Sequence, residues 1–265
     1  PHGDHYQGIF EVIESGIVVK NAMYAEPPTG FRDCCFDPLL WARFKYLLSQ
    51  KNVIEHDVRQ GFKRKYPTSD MDLIYAHRNL TANGGNADLN DMSLIMRFTA
   101  SGTRVLFTGD LNKNVGAELT GNKSMSADIL KIPHHGGVGI APNTFFDTVN
   151  PSLAMFPSPV WVEQSDWRGI QAFGWARSKL GKYCSNSTNI NVVVRFHENR
   201  YTTHPEKPSQ YCGFDSFASK IHPKGKSNLS FLPAIFFLLE VGPFDTPPNY
   251  SMKIPGTEPE AVKGD

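Results

Sequence analysis

Four apolar runs of strand length crowd the middle of the chain, and reactive residues follow them closely. "SLIMRFTA" and "TRVLFTG" are joined at Ser101-Gly102, which predicts a β-hairpin whose second strand delivers Asp110 at its end. "ADILKIPHHGG" supplies a third strand, Ile129 to Ile132, that runs into Pro133, His134 and His135. After a short helix in "NTFFDTVNPS" and a turn at Asn150-Pro151 comes a fourth, Leu153 to Phe156. A chain that alternates such strands with helices folds as α/β layers, and layers of this kind set their sites just beyond strand C-termini.

Further elements extend the pattern. "YQGIFEVIES" reads as a helix with Ile9, Val12 and Ile13 at helical spacing and Gly16 as its stop; "GIVVKNAMYA" reads as a strand. Pro27 to Pro38 is loop-like, and "LLWARFKYLLSQKN" puts Leu40, Phe44, Leu47 and Leu48 on one helical face. "GIQAFGWARSKLGKY" is expected to be helical, and "NINVVVRFHENRYTTH" to form a last strand pair, Asn191 to Phe196 and Tyr201 to Thr203. From about Pro205 Pro, Gly and Ser rise and periodicity fades, so 1–204 is expected to be the domain and 205–265 an extension.

The overall charge excludes little. The chain's 27 Lys+Arg against 26 Asp+Glu leave a net +1, so no global field points to nucleic acid or an anionic membrane. Locally, "GFKRKYP" gathers Lys63, Arg64 and Lys65, either as phosphate contacts or as a solvated strand edge. "LSFLPAIFFLLEVG", Leu229 to Gly242, is too short and too interrupted by Pro233 and Glu240 to span a bilayer, which needs ~20 apolar residues. Cys34, Cys35, Cys184 and Cys212 show no metal-ligand spacing and are expected to be structural or free thiols. Asn79, Asn122, Asn186, Asn228 and Asn249 fit the glycosylation acceptor pattern, which is too short to assign a compartment.

Candidate ligands fall in four segments: His2-Gly3-Asp4-His5, Asn90-Asp91, Gly109-Asp110 and His134-His135. Imidazoles and carboxylates from strand ends that share one sheet edge can surround a borderline or hard metal ion. In this order the segments resemble the metallo-β-lactamase superfamily, whose His-x-His-x-Asp-His loop is matched in its last part by "PHGDH". Within it, "LNDMSLIMRFTASGTRVLFTGDLNK", "ADILKIPHHGG" and "FFDTVNPSLAMFPSP" look most like the nuclease-type domain of the ComEC competence proteins. The resemblance covers residues 1 to about 204, weakly between Pro27 and His77. It implies an αββα sandwich lacking its first strands, with the chain trimmed between the first and second metal-binding histidines.

What the resemblance implies for the site is specific. His2 is expected to hold the first of two divalent ions, Zn or Mn, Asp4 and His5 the second, with Asp110 between them. His134 is favoured over His135 as the ligand of the histidine pair, which leaves His135 a supporting or loop-packing role. Asp91 stands where that branch carries Asn or Asp, and reads equally as a turn residue. The implied chemistry is hydrolysis by a metal-bound hydroxide, with Asp4 or Asp91 accepting the proton. The implied substrate is a phosphodiester such as single-stranded DNA, contacted through Lys63, Arg64 and Lys65. A lactone, ester or lactam hydrolase and a non-catalytic binding module are the alternatives. Many relatives carry a further histidine after the fourth strand; "FPSPVWVEQSDWRGIQAF" has none, which leaves Trp161, Trp167 and Arg168 as candidates for substrate contact. His56, His77, His197, His204 and His222 have no motif around them and read as surface or satisfied residues.

Overall fold

The computed structural model describes residues 2–29, 36–58, 60–76, 89–165 and 167–220. Cys34, Cys35, His77, His222, the apolar stretch Leu229 to Gly242, and Asn79, Asn228 and Asn249 lie outside the described residues. Among the described residues no helix is long and apolar enough to cross a membrane.

The protein is mixed α/β, built on one large mixed sheet of seven strands. Its order is β3 (Lys63–Tyr66), β4 (Ser69–Tyr75), β5 (Ile95–Ala100), β6 (Thr103–Phe107), β7 (Ile129–Lys131), β8 (Leu153–Phe156) and β9 (Tyr183–Ser185). Neighbours from β3 to β6 are antiparallel, and those from β6 to β9 are parallel. Among the parallel strands β8 is apolar and buried along its whole length, because both of its faces are covered. Successive side chains point to opposite faces: Leu130, Ala154 and Phe156 join a core under α3 (Lys113–Glu118), α4 (Asn143–Val149) and α6 (Ile170–Trp175) with Phe145, Phe146 and Phe173. Ile129, Leu153 and Met155 face the other way, against a three-stranded antiparallel sheet of β10 (Val192–His197), β11 (Arg200–Pro205) and β12 (Ser216–Ala218).

The N-terminal part forms its own cluster. In α1 (Gly3–Glu14) Tyr6, Phe10 and Ile13 are the buried stripe, meeting Trp41, Phe44 and Leu48 of α2 (Pro38–Gln50). The expected face was different: Ile9 and Val12 are exposed, because the aromatic rings at positions 6 and 10 take the inward side. The Asp37 carboxylate caps α2 by accepting from the backbone N–H groups of Leu39 (2.8 Å) and Leu40 (3.1 Å), ahead of Pro38 in the first turn. A two-stranded parallel pair, β1 (Asn21–Tyr24) and β2 (Ile54–Asp57), lies beside it.

Two boundaries shift. The helix expected through Tyr183 stops at Gly181 in the left-handed region (φ 66°), after a π-turn at Ala176–Leu180, and releases Tyr183 into β9. The expected division between residues 204 and 205 falls inside β11, and the chain stays with the body up to Lys220. Cys212 is bridged by a disulfide to Cys184, Tyr211 stacks on Tyr183 at 4.7 Å, and the Lys220 backbone N–H donates to Asp128 at 2.6 Å.

Candidate metal centre

The sheet edge where β6, β7 and β8 end carries the reactive residues. Two residues after the end of β6 comes Gly109 with φ +53°, and a Cβ there would meet Ser93 Oγ at 2.9 Å, so only glycine fits both the backbone turn and the close approach. Asp110 follows, its backbone N–H donating to Ser93 Oγ at 3.0 Å. The end of β6 is tied to the end of β7 by Thr108 Oγ1, which donates to the Lys131 carbonyl at 2.8 Å. Asp110 is thereby placed by backbone geometry before any side chain acts on it.

After β7 the chain makes a left-handed turn: φ is +47° at His134, +54° at His135 and +79° at Gly136. Non-glycine residues in this region cost about 1–3 kcal/mol each, a strain that collects at functional sites. Bonds from both sides hold the turn: the Gly137 backbone N–H donates to the His134 carbonyl at 2.8 Å, and Ser158 Oγ donates to the His135 carbonyl. His135 Nδ1 lies 2.8 Å from the Pro157 carbonyl oxygen. That oxygen can only accept, so Nδ1 carries the proton and Nε2 of the neutral ring keeps its lone pair.

That lone pair faces the same carboxylate oxygen that the first turn of α1 reaches. His5 Nε2 is 2.9 Å and His135 Nε2 is 3.6 Å from Asp110 Oδ2. Taken together, one donor atom from each of His5, Asp110 and His135 lies within 4.8 Å of the others. Ligands about 2.1 Å from a tetrahedral zinc stand about 3.4 Å apart, so two nitrogens and one carboxylate oxygen at these spacings fit such an ion. Burial pushes the Asp110 carboxyl up, but the His5 hydrogen bond and the nearby Lys131 ammonium outweigh it and hold it well below the usual carboxylate range.

The structure distributes the sequence-derived candidates unevenly. His5 and Asp110 come into direct contact. At the histidine pair it is the ring of His135 that lies beside the carboxylate, where the resemblance favoured His134 as the ligand. His134 lies on that turn with its backbone N–H 3.4 Å from the Gly109 carbonyl. His2, buried at the start of α1, is not in the trio. The side chain of Asp4 lies outside the described residues. Asp91 is buried in a single 3-10 turn (Leu89–Met92), where it accepts from Asn112 Nδ2, and Asn112 Oδ1 caps α3 through the Val115 N–H at 3.3 Å.

Lys63, Arg64 and Lys65 lie on β3, the edge strand. The register Lys63 to Asp72 to Arg97 to Leu106 puts Lys63 three strands from β6, about 14 Å at ~4.8 Å per strand, near the sheet edge that carries the trio. Arg168 is exposed, its guanidinium 4.2 Å from the Trp167 ring centroid and 5.3 Å from that of Trp161. Sequence reasoning passed over Lys131, whose Nζ donates to the Gly109 carbonyl at 2.7 Å and stands 3.6 Å from Asp110 Oδ1. A lone lysine closing an apolar strand just before the histidines was the available signal.

Comparison with models of protein families finds no match for this chain, and none of the curated proteins matches it.

Proposed function

We propose that the protein is a divalent-metal-dependent hydrolase of the metallo-β-lactamase type, acting on a phosphodiester such as single-stranded DNA. The observation that carries this reading is the convergence of His5, Asp110 and His135 from three separate elements, with the His135 tautomer set by a carbonyl. The reading takes the seven-stranded sheet, with helices on one face and a second sheet on the other, as the core of that family's sandwich. The resemblance of "PHGDH" and "ILKIPHHGG" to the family's motifs supports it as well.

In this reading His5, Asp110 and His135 hold the ion. Zn and Mn both suit two imidazoles and a carboxylate, and a bound ion of this kind supplies Lewis acidity and an acidified water near neutral pH. The protein's own part is geometric. Ser93 and Gly109 fix the Asp110 backbone, Pro157 and Ser158 fix His135, and the cations of β3 offer contacts to a polyanion.

The test is metal content by mass spectrometry beside turnover of single-stranded DNA and of a bis-aryl phosphate. His135→Ala is expected to weaken metal binding by at least ~10-fold, and His134→Ala to leave it within a few-fold of wild type. Equal loss in both variants contradicts the assignment of His135. DNA turnover that falls steeply with salt supports the polyanion; turnover confined to carboxylic esters and flat in salt contradicts it.

A further inference from the structure

Asp110 presents its two oxygens to different partners. Oδ2 faces the rings of His5 and His135, whereas Oδ1 accepts no hydrogen bond and has the Lys131 ammonium as its neighbour at 3.6 Å. A carboxylate that bridges two metal ions gives one oxygen to each. Here the Oδ1 side is already taken by a cation.

Lys131 is anchored where it stands. Its backbone pairs with Met155 of β8, its carbonyl accepts from Thr108, and its Nζ donates to the carbonyl of Gly109, the residue just before Asp110. Part of the residue lines a small apolar cleft with Val105, Phe107, Met155 and Phe196. With its side chain 14% exposed, the ammonium has little room to retreat into solvent. Among the described residues, one His/Asp trio converges, and it lies on the Oδ2 side.

We propose that Lys131 stands in for a second metal ion, so that the chain binds one divalent ion, on the Oδ2 side of Asp110. This rests on the reading of the trio as a metal centre. A dication brought to the Oδ1 side meets a fixed like charge in a poorly solvated place, where repulsion is least screened.

The experiment titrates metal-free protein with zinc by calorimetry and counts bound zinc by mass spectrometry, for wild type, Lys131→Arg and Lys131→Gln, with circular dichroism melts to verify folding. One zinc per chain is expected for wild type and for Lys131→Arg. Lys131→Gln is expected either to bind its first zinc at least ~10-fold more tightly, once the like charge is gone, or to take up a second. Two zinc ions on the wild-type chain overturn the inference while leaving a metal centre standing, as does a folded Lys131→Gln that binds zinc more weakly than wild type. No zinc on the wild-type chain removes the metal-centre reading and this inference with it. The wild-type count is decisive by itself, even if the glutamine variant fails to fold.

Discussion

Replacing Asp110 by asparagine is expected to remove bound metal and to lower phosphodiester turnover by ~10³-fold or more, the scale of losing one well-placed charged group at a reacting centre. Asparagine keeps the shape of the side chain, and the backbone bond to Ser93 Oγ does not depend on the carboxylate, so the fold should survive. The metal-free protein gives a second, independent readout. Because the folded-state carboxyl lies below its usual value, its contribution to stability is complete above the pH near 4 at which an unfolded aspartate ionises. That contribution is lost as pH falls through the folded-state value. The stability difference between wild type and Asp110→Asn, measured by urea unfolding, should therefore be constant near neutrality and shrink in acid. A variant that keeps its metal and its turnover contradicts the role assigned to this residue.

Breaking the disulfide between Cys184 and Cys212 is the second large effect. Both cysteines are 1% exposed and 28 residues apart. Closing a loop of that length stabilises the folded state by about 3.5 kcal/mol through the unfolded chain's entropy. For a folded body of this size, that corresponds to about 7–14 °C in melting temperature. The segment it pins is the one the sequence assigned to the extension: the Tyr183 N–H donates to the Tyr211 carbonyl at 3.1 Å, and β12 completes the small sheet against β11. A Cys184→Ala/Cys212→Ala variant, or wild type in reductant, is expected to melt lower by that amount. Identical melts with and without reductant contradict it.

The sequence and the fold agree where one local signal dominates. β5 and β6 are apolar runs joined by Ser101-Gly102, β8 is a continuous apolar run buried on both faces, and α2 has a regular stripe with an Asp-Pro start. Agreement fails where the deciding contact is remote. β2, β3 and β4 carry Glu55, Asp57, Arg64, Asp70 and Asp72, and no apolar period marks them; β4 is held in the sheet's interior by pairing on both sides. Tyr183 looks helical by continuation from "FGWARSKL" and becomes a strand because Gly181 turns the chain onto β8.

At the site, residue types were legible and orientations were not. "GDH" and "TGD" placed His5 and Asp110 among the candidates, and the first turn of α1 brings His5 to the carboxylate that follows β6. His134 against His135 depends on the left-handed turn and on the Pro157 carbonyl 22 positions away, which no local pattern encodes. Lys131 escaped notice for a related reason, since its meaning comes from Gly109 and Asp110 on the neighbouring strand. The disulfide was hidden likewise: Cys184 and Cys212 have no telling spacing and meet only once β9 lies beside the segment after β11.

The most direct test of the metal centre is anomalous diffraction at the zinc edge from crystals of the protein grown with zinc. The expected result is a strong peak about 2.0–2.2 Å from His5 Nε2, His135 Nε2 and a carboxylate oxygen of Asp110. A map with no peak among these three residues, or with zinc on His134 and not on His135, contradicts the account.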